Sequence, residues 1–444
     1  MKVLDIVKSS YGSYFDKIEN PICDCRINAS LKVDLSDKRQ VFLGFGTALT
    51  EAAAYVLSFL SYEDRKKVID SYFNKEKGLG LSFVRTHISS CDFSLSSWSC
   101  LEKEGDTSLL SFSLEPMEKF QLPLILDVFA SYPDLRLFLS PWSPPAWMKT
   151  NRDMCHGGKL LPEYRETWAM YFVRFIESLK QHGIDTWAVS VQNEPEAVQT
   201  WESCIYTAEE EAVFVRDFLG PALKNNGFDD VRIFIWDHNR DRLRERAEES
   251  MSVEGAAEYI SGFAYHWYSV NHFENVKYVR EKFPDKMLVF TEGCIEGGAR
   301  PGDWYVAERY ARDIIGDINS GVEVWIDWNA ALDMQGGPNH VGNYCDSPVL
   351  VDIDKSSFYM QPSYYAIAHF SKFINDKATV LGCSLTTEND GIYACALDNN
   401  DGTITVVILN STKEDVALVL NIGHNKLDTC VKNKTIMTYR IKKE

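Results

Sequence analysis

Two glutamates stand where apolar runs give way to polar residues. Glu194 closes the run TWAVSVQNEP, and Glu292 closes KMLVFTEG. Two carboxylates facing across a cleft are the minimum apparatus for cleaving a glycosidic bond. One carries a proton to the leaving oxygen, and the other stays ionised and attacks the anomeric carbon. Taken singly, each is equally a solvated residue at a strand end before a turn, where Asn and Pro are common. Their company separates the two readings.

Other apolar runs also end in residues able to do chemistry. They are Arg85-Thr86-His87, Ser140-Pro141-Trp142, Asp237-His238-Asn239, His266-Trp267-Tyr268 and Trp325-Ile326-Asp327-Trp328-Asn329. Trp142, Trp267 and Trp328 would offer aromatic walls to the apolar C–H faces of a sugar, with Asn193, His266 and Asn329 as partners for its hydroxyls. Arg85 reads either as a core salt-bridge residue or as the cation that keeps a carboxylate charged. A zinc site can be drawn from His87, His238 and Glu292, but no H-x-H or H-E-x-x-H spacing supports it. The paired-carboxylate chemistry calls for no metal and no organic cofactor.

The elements that must position these ends are eight apolar runs with mostly helical spacers, at 40–48, 79–90, 135–147, 186–195, 231–239, 260–268, 286–293 and 322–330. Uninterrupted apolar interiors suit strands covered on both faces. Eight such units over roughly 300 residues predict an α/β chain folded as a (β/α)8 TIM barrel, whose chemistry lies at the C-terminal strand ends. Glu194 and Glu292 then close the fourth and seventh strands on one rim. A doubly wound sheet would place a glycine-rich phosphate loop after its first strand, and Gly44-Phe45-Gly46 followed by TALTE lacks that spacing. Helices are predicted over 162–182 and 207–225, the second opening with Glu209, Glu210 and Glu211. The segment 240–246 alternates arginines with acids and reads as a solvated loop or helix face.

From residue 379 the pattern changes to short alternating runs broken by Asn-Asp-Gly and similar turns, which predicts an antiparallel β domain. The first 35 residues, with INASLKVDLS, add strands to it.

The formal charge, 46 − 64 = −18, disfavours nucleic acid and anionic membrane surfaces as partners. No apolar run approaches the length of a membrane span, and MKVLDIVKSSYGSYFDK lacks the apolar core of a signal peptide. The 11 cysteines are scattered and odd in number, and Cys23 and Cys25 form a C-x-C pair without a second pair at zinc-finger spacing. The expectation is a reduced, cytoplasmic protein, or a secreted or periplasmic one if a leader has been removed.

Longer motifs carry a resemblance. GFGTALTEAAA, SCDFS, SPWSPPAWMKTN, ETWAMYFVRFI, NEPE, AYHWY, TEGC, DWNAALDMQGGPNHVGN, DSPVLVD and QPSYYAIAHFSKFI follow one another almost end to end. In order and spacing they resemble glycoside hydrolase family 30 of clan A, and within it the glucosylceramidase branch. The resemblance implies a TIM barrel with an all-β sandwich built from both termini. The expected division is N-terminal sandwich strands at 1–35, the catalytic barrel at 36–372 and the C-terminal sandwich at 373–444. It implies Glu194 as acid/base, Glu292 as nucleophile and Asn193 as the partner of the sugar's 2-hydroxyl. It further implies sugar contacts from Glu51, Trp142, Trp328 and Asn339, places His266 and Tyr268 beside the nucleophile, and puts Arg85 beneath it. The branch carries Asp where this chain has Glu51, and the extra methylene displaces that carboxylate. The activity implied is that of a retaining, exo-acting β-glucosidase, with a β-linked glucoside, a short β-glucan oligosaccharide or a glycolipid as substrate. A β-1,6-glucanase or β-xylosidase of the same family is the alternative, and a non-catalytic carbohydrate-binding barrel is the reading from another class.

Overall fold

The structure, a computed structural model, describes residues 2–23 and 27–443. Each of the eight apolar runs forms a barrel strand: β1 (Gly44–Ala48), β2 (Phe83–Ile88), β3 (Arg136–Pro141), β4 (Thr186–Ser190), β5 (Arg232–Asn239), β6 (Ile260–His266), β7 (Met287–Glu292) and β8 (Val324–Asp327). All neighbours are parallel, and β8 closes on β1 with Trp325 beside Phe45. Parallel neighbours need long crossovers, and the helical spacers supply them. The helix Arg165–Gln181 buries Trp168, Phe172, Phe175 and Leu179 on one face. The predicted helix at 207–225 starts at a capping box, in which Thr207 and Glu210 satisfy each other's backbone N–H groups. It passes through a π-helical stretch, Val215–Leu219, before ending as Gly220–Asn225. A Cβ on Gly220 would meet the Tyr259 ring at 2.3 Å, so close packing against that ring requires glycine there.

The barrel interior is layered by the period of two along each strand. Phe83, Phe138, Ala188, Phe234, Ala264 and Val289 fill an apolar layer. Two residues further along, the same side of the strands carries Arg85, Ser140, Ser190, His266 and Thr291, all buried. On β5 the step is three residues, from Phe234 to Asp237, because a register shift lies between Trp236 and His238. Trp236 and Asp237 both have positive φ, 77° and 45°. This bulge turns the Asp237 carboxylate inward among the other polar side chains.

Three short strands, Leu332–Asp333, Val349–Asp352 and Ser357–Met360, form a small sheet of their own, and the other nine form one large sheet. Its order is Asn425–Val431, Val416–Ile422, Ala29–Phe42, Ala378–Thr387, Ile392–Asp398, Thr403–Asn410, Thr435–Lys442, Lys2–Ser10 and Ser13–Lys17. The chain ends pair directly, Lys2 opposite Lys442. The sheet curls until its edges meet: Cys430 N donates to Pro21 O at 2.9 Å, and Cys23 is disulfide-bonded to Cys430. One face has its own core, including Leu31, Leu381, Val406 and Leu418. The other face, with Val380, Leu397, Val407 and Ile436, merges into the core of the barrel helices.

Several expectations are corrected. The strand Ala29–Phe42 crosses the boundary placed at residue 35, so the N-terminal part of the sandwich ends where β1 begins. The strand Asn425–Val431 was not foreseen, because NKLDTCV lacks an apolar run. The Cys23–Cys430 disulfide, across a separation of 407 residues, overturns the reading of the cysteines as uniformly reduced and removes that support for a cytoplasmic setting. Cys25 lies outside the described residues. Arginines 240 and 246 are not solvated: Arg240 donates to Asp313 at 3.0 Å and Arg246 to Glu211 at 2.7 Å, all of them buried. Among the described residues, no helix is long and apolar enough to cross a membrane.

Candidate active site

The rim of the barrel encloses a cleft lined by Asp92, Trp142, Asn193, Glu194, His238, Tyr268, Glu292, Trp328 and Asn343, among others. The two glutamates therefore share one cavity, although 98 residues separate them in sequence (292 − 194). Glu194 adopts φ 50°, in the left-handed region that non-glycine residues rarely occupy. Backbone bonds hold it there: its N–H donates to Asp237 O at 2.9 Å, and the preceding Asn193 N–H donates to Pro141 O at 2.8 Å. Strain of this kind persists only where the surroundings over-determine it, as at a site that must aim a side chain.

The two carboxylates are held differently. Glu292 has both oxygens fixed: Arg85 Nη1 donates to Oε2 at 2.6 Å, and the Tyr268 hydroxyl donates to Oε1 at 3.0 Å. Glu194 instead faces two imidazoles, with His266 Nδ1 at 3.2 Å and His238 Nδ1 at 3.5 Å from Oε1. Burial would raise the Glu194 pKa, but His238 and then His266 hold it well below its ordinary value. Burial would lower His266, but the charges of Glu292, Asp237 and Glu194 raise it to about 9. The carboxylate and the imidazole thus favour each other's charged forms.

Beneath both lies Asp237. Its Oδ2 accepts from Arg85 Nη2 at 3.0 Å, Ser140 Oγ at 3.0 Å and Ser190 Oγ at 2.5 Å. Its Oδ1 accepts from Thr291 Oγ1 at 2.5 Å and faces His266 Nε2 at 3.1 Å. Burial opposes its charge, yet Arg85 and His266 keep the carboxyl far below the usual range. Arg85 is likewise opposed by burial and held cationic by Asp237 and Glu292. A buried cation with two buried anions is affordable only when nearly every polar atom is paired, and here five donors converge on one carboxylate.

The aromatic floor is Trp142 against Trp328, stacked at 5.3 Å, with the Arg85 guanidinium 5.0 Å from the Trp142 ring centre. Trp267, expected as a third wall, instead packs in the core against Phe290 and Tyr310, and its Nε1–H donates to Cys294 O. Asn329 does not face the cleft either; its Oδ1 accepts from Thr50.

Glu51 and Asn339, expected as sugar contacts, do not line the cleft. Glu51 Oε2 accepts from Trp98 Nε1 at 2.9 Å and from Leu95 N at 3.3 Å, tying down a neighbouring loop. Asn339 Nδ2 donates to Asp92 Oδ2 at 3.0 Å, so it orients the acid that does line the cleft. Asp92 and Asn343, joined by a further bond of 3.3 Å, occupy the wall where Glu51 and Asn339 were expected. Burial and the nearby charge of Glu292 push Asp92 up to about 7. The signal for Asp92 was available, since it stands inside SCDFS, but loop residues carry no strand-end periodicity to mark them. The drawn zinc triad does not assemble: His87 Nε2 accepts from Glu51 N at 3.1 Å, and its Nδ1 is bonded to Ser89 O.

Comparison with known proteins agrees with this geometry. The chain matches the glycosyl hydrolase family 30 TIM-barrel domain over residues 42–374 and the family 30 β-sandwich domain over residues 377–439. It is 36% identical over 403 residues to the lysosomal acid glucosylceramidase of Mus musculus, covering 86% of this chain and 78% of that one. The crystal structure of SrfJ from Salmonella typhimurium superposes with a TM-score of 0.93 at 32% identity, covering 99% of both chains. A solved endo-β1,6-glucanase superposes with a TM-score of 0.88 at 27% identity, also over 99% of both. A barrel rim with two unlike carboxylates in one cleft, carried on a chain that matches both domains of the family, makes this protein a member of glycoside hydrolase family 30 and an O-glycosyl hydrolase.

Proposed function

We propose that the enzyme is a retaining, exo-acting β-glucosidase of the glucosylceramidase type. The observation that carries this reading is the unequal holding of the two glutamates. Glu292, with both oxygens oriented by Arg85 and Tyr268, is placed to attack the anomeric carbon. Glu194, beside the His266 imidazole whose pKa its carboxylate neighbours raise, is the group that passes a proton to the leaving oxygen. In the first step Glu292 forms a bond to C1, the glycosidic bond breaks, and the aglycone leaves with the proton delivered through Glu194. In the second step Glu194 takes a proton from water, whose oxygen attacks C1 and displaces Glu292. Two inversions leave the β configuration. Trp142 and Trp328 stack on the sugar's C–H faces, and Asp92, Asn193 and Asn343 serve its hydroxyls.

A soluble β-glucoside or short glucan fragment fits a chain of charge −18 better than an anionic bilayer does. A glycolipid remains the substrate class named by the mouse relative. The second reading, an endo-β1,6-glucanase, is favoured by the match to the solved glucanase. Hydrolysis of a panel of aryl β-glucoside, aryl β-xyloside, gentiobiose, pustulan and glucosylceramide separates them. The proposal expects kcat/KM on the aryl glucoside to exceed that on the xyloside, with glucose as the sole early product. Internal cleavage of pustulan to oligosaccharides would replace it with the glucanase reading.

A further inference from the structure

We propose that Glu194, His238 and His266 form a binding site for a divalent cation of zinc type, and that its occupation arrests the enzyme. Among the described residues this is the one grouping of three or more His, Cys, Asp or Glu side chains with ligand atoms close enough to share an ion, all within 4.8 Å of one another. Zinc binds imidazole nitrogen and carboxylate oxygen at about 2.0–2.2 Å, so tetrahedral ligands lie roughly 3.3–3.5 Å apart. Two of the three edges, 3.2 Å from Glu194 Oε1 to His266 Nδ1 and 3.5 Å to His238 Nδ1, fall at that spacing, and the third lies within 4.8 Å, a gap that a small rotation of the imidazoles closes.

The support around the ligands points the same way. A metal-binding histidine usually gives its second ring nitrogen to a carboxylate, which fixes its tautomer and orientation. His266 does so, with Nε2 3.1 Å from Asp237 Oδ1. His238 Nδ1 is buried and makes no hydrogen bond, its nearest partner being Glu194 Oε1. The Trp236 ring, 5.0 Å away, holds the His238 imidazole in place. Glu194 and His238 both face the cleft, which leaves the fourth position to water. Two histidines, a glutamate and an open position make a donor set suited to zinc. The three residues come from the ends of β4, β5 and β6, so no short sequence spacing announces them.

Binding forms two Zn–N bonds and one Zn–O bond, and any proton on the ligating nitrogens leaves to solvent. Glu194 can then neither deliver a proton nor take one, and the ion obstructs the place of the leaving group. The arrest rests on the role proposed above for Glu194; the binding does not.

The test uses the intact protein, freed of metal with a chelator. Calorimetric titration with Zn2+ should give one ion per chain, Zn2+ should suppress aryl β-glucoside hydrolysis over the same concentration range, and chelator should restore it. Co2+ should give the visible bands of a tetrahedral nitrogen–oxygen site without a thiolate charge-transfer band. His238→Gln should weaken Zn2+ at least tenfold, whereas Cys345→Ser, which removes the thiol lining the same cleft, should not. A thiolate band with Co2+, or loss of binding in Cys345→Ser with His238→Gln unchanged, would overturn the site, as would the absence of a one-to-one complex. Stoichiometric binding lost in His238→Gln but without inhibition would uphold the site and remove Glu194 from the acid/base role instead.

Discussion

Arg85 Nη1 donates to Glu292 Oε2 at 2.6 Å, and both side chains are buried. The same guanidinium reaches Asp237, Asn193 and Ser140 with its other nitrogens. A lysine ammonium is a point donor and cannot serve four directions in a plane. Arg85→Lys should therefore lower kcat on an aryl glucoside by at least about 100-fold, since the nucleophile loses its orientation. It should also cost roughly 3–5 kcal/mol of stability, because Asp237 loses its buried partner. Steady-state kinetics and a urea midpoint read the two effects. A variant within tenfold of the parent in kcat would show that the ion pair does not position Glu292.

Asp92 and Asn343 line the cleft beside the Trp142–Trp328 floor. Removing the Asp92 carboxyl leaves Asn339 and Asn343 without their shared acceptor and takes away a hydroxyl partner. Asp92→Ala should lower kcat/KM on an aryl β-glucoside by roughly 10-fold to 100-fold, the cost of one unmade polar contact in a dry site. Glu51→Ala, which frees only the Trp98 loop, should have a smaller effect on kcat/KM. The reverse order would return the sugar-binding role to Glu51.

The barrel was legible because its signal is repetitive: eight apolar runs, seven of them ending in polar residues able to do chemistry, match β1 to β8. Arg85, Asn193, Glu194 and Glu292 were legible for the same reason, since strand ends can be read from periodicity. Asp237 was visible only as a polar strand end. Its place at the centre of five donors depends on a bulge, and a bulge is a matter of register that no spacing displays. Glu51 was misplaced because burial and a loop indole decide where its carboxylate points. The Cys23–Cys430 pair depends on the sheet curling edge to edge, a long-range event without a local mark.

The sandwich and barrel share one apolar core, in which Val380, Leu397 and Ile436 pack with the barrel helices. Chain ending after Asn375 would remove six of the nine sandwich strands and leave that surface in water. Such a truncation should give insoluble or inactive protein, as read by sedimentation of the lysate and activity of the soluble fraction. A soluble, fully active barrel would show the sandwich to be a detachable module.

The two glutamates can be told apart by chemical rescue. Without Glu292 no glycosyl–enzyme forms, so Glu292→Gln should nearly abolish turnover of every substrate. Glu194→Ala should still react with 2,4-dinitrophenyl β-glucoside, whose phenolate leaves without a proton, and then stall for want of a base. Azide needs no base and should enter the vacated space to release β-glucosyl azide. NMR of the product reads its configuration. An α-azide from that mutant would reverse the two roles, and inversion by the parent enzyme would remove the double displacement.

His369 links the two domains and should make the fold sensitive to acid. Its Nδ1 lies 2.8 Å from Thr438 Oγ1 and its Nε2 2.8 Å from Ser9 Oγ. Thr438 gives its own proton to His369 O, so Nδ1–H must donate to it; Ser9 accepts from Phe15 N, and its own hydroxyl proton is left for Nε2. A neutral imidazole satisfies this pattern, and burial lowers its pKa to about 3. The unfolded chain has an ordinary histidine of about 6.5, so between these values the unfolded state binds the extra proton. The contribution is complete above the unfolded value and is lost as pH falls through the window, at about 1.4 kcal/mol per pH unit. Going from pH 6.5 to pH 5 should therefore cost about 2 kcal/mol through this residue. Urea midpoints at the two pH values should differ more in the parent than in His369→Gln, which does not titrate. The variant will be weaker at neutral pH, because its amide cannot reproduce both bonds, but its slope with pH should be flatter. Equal slopes in the two proteins would mean that His369 is not the buried neutral group that couples the domains to pH.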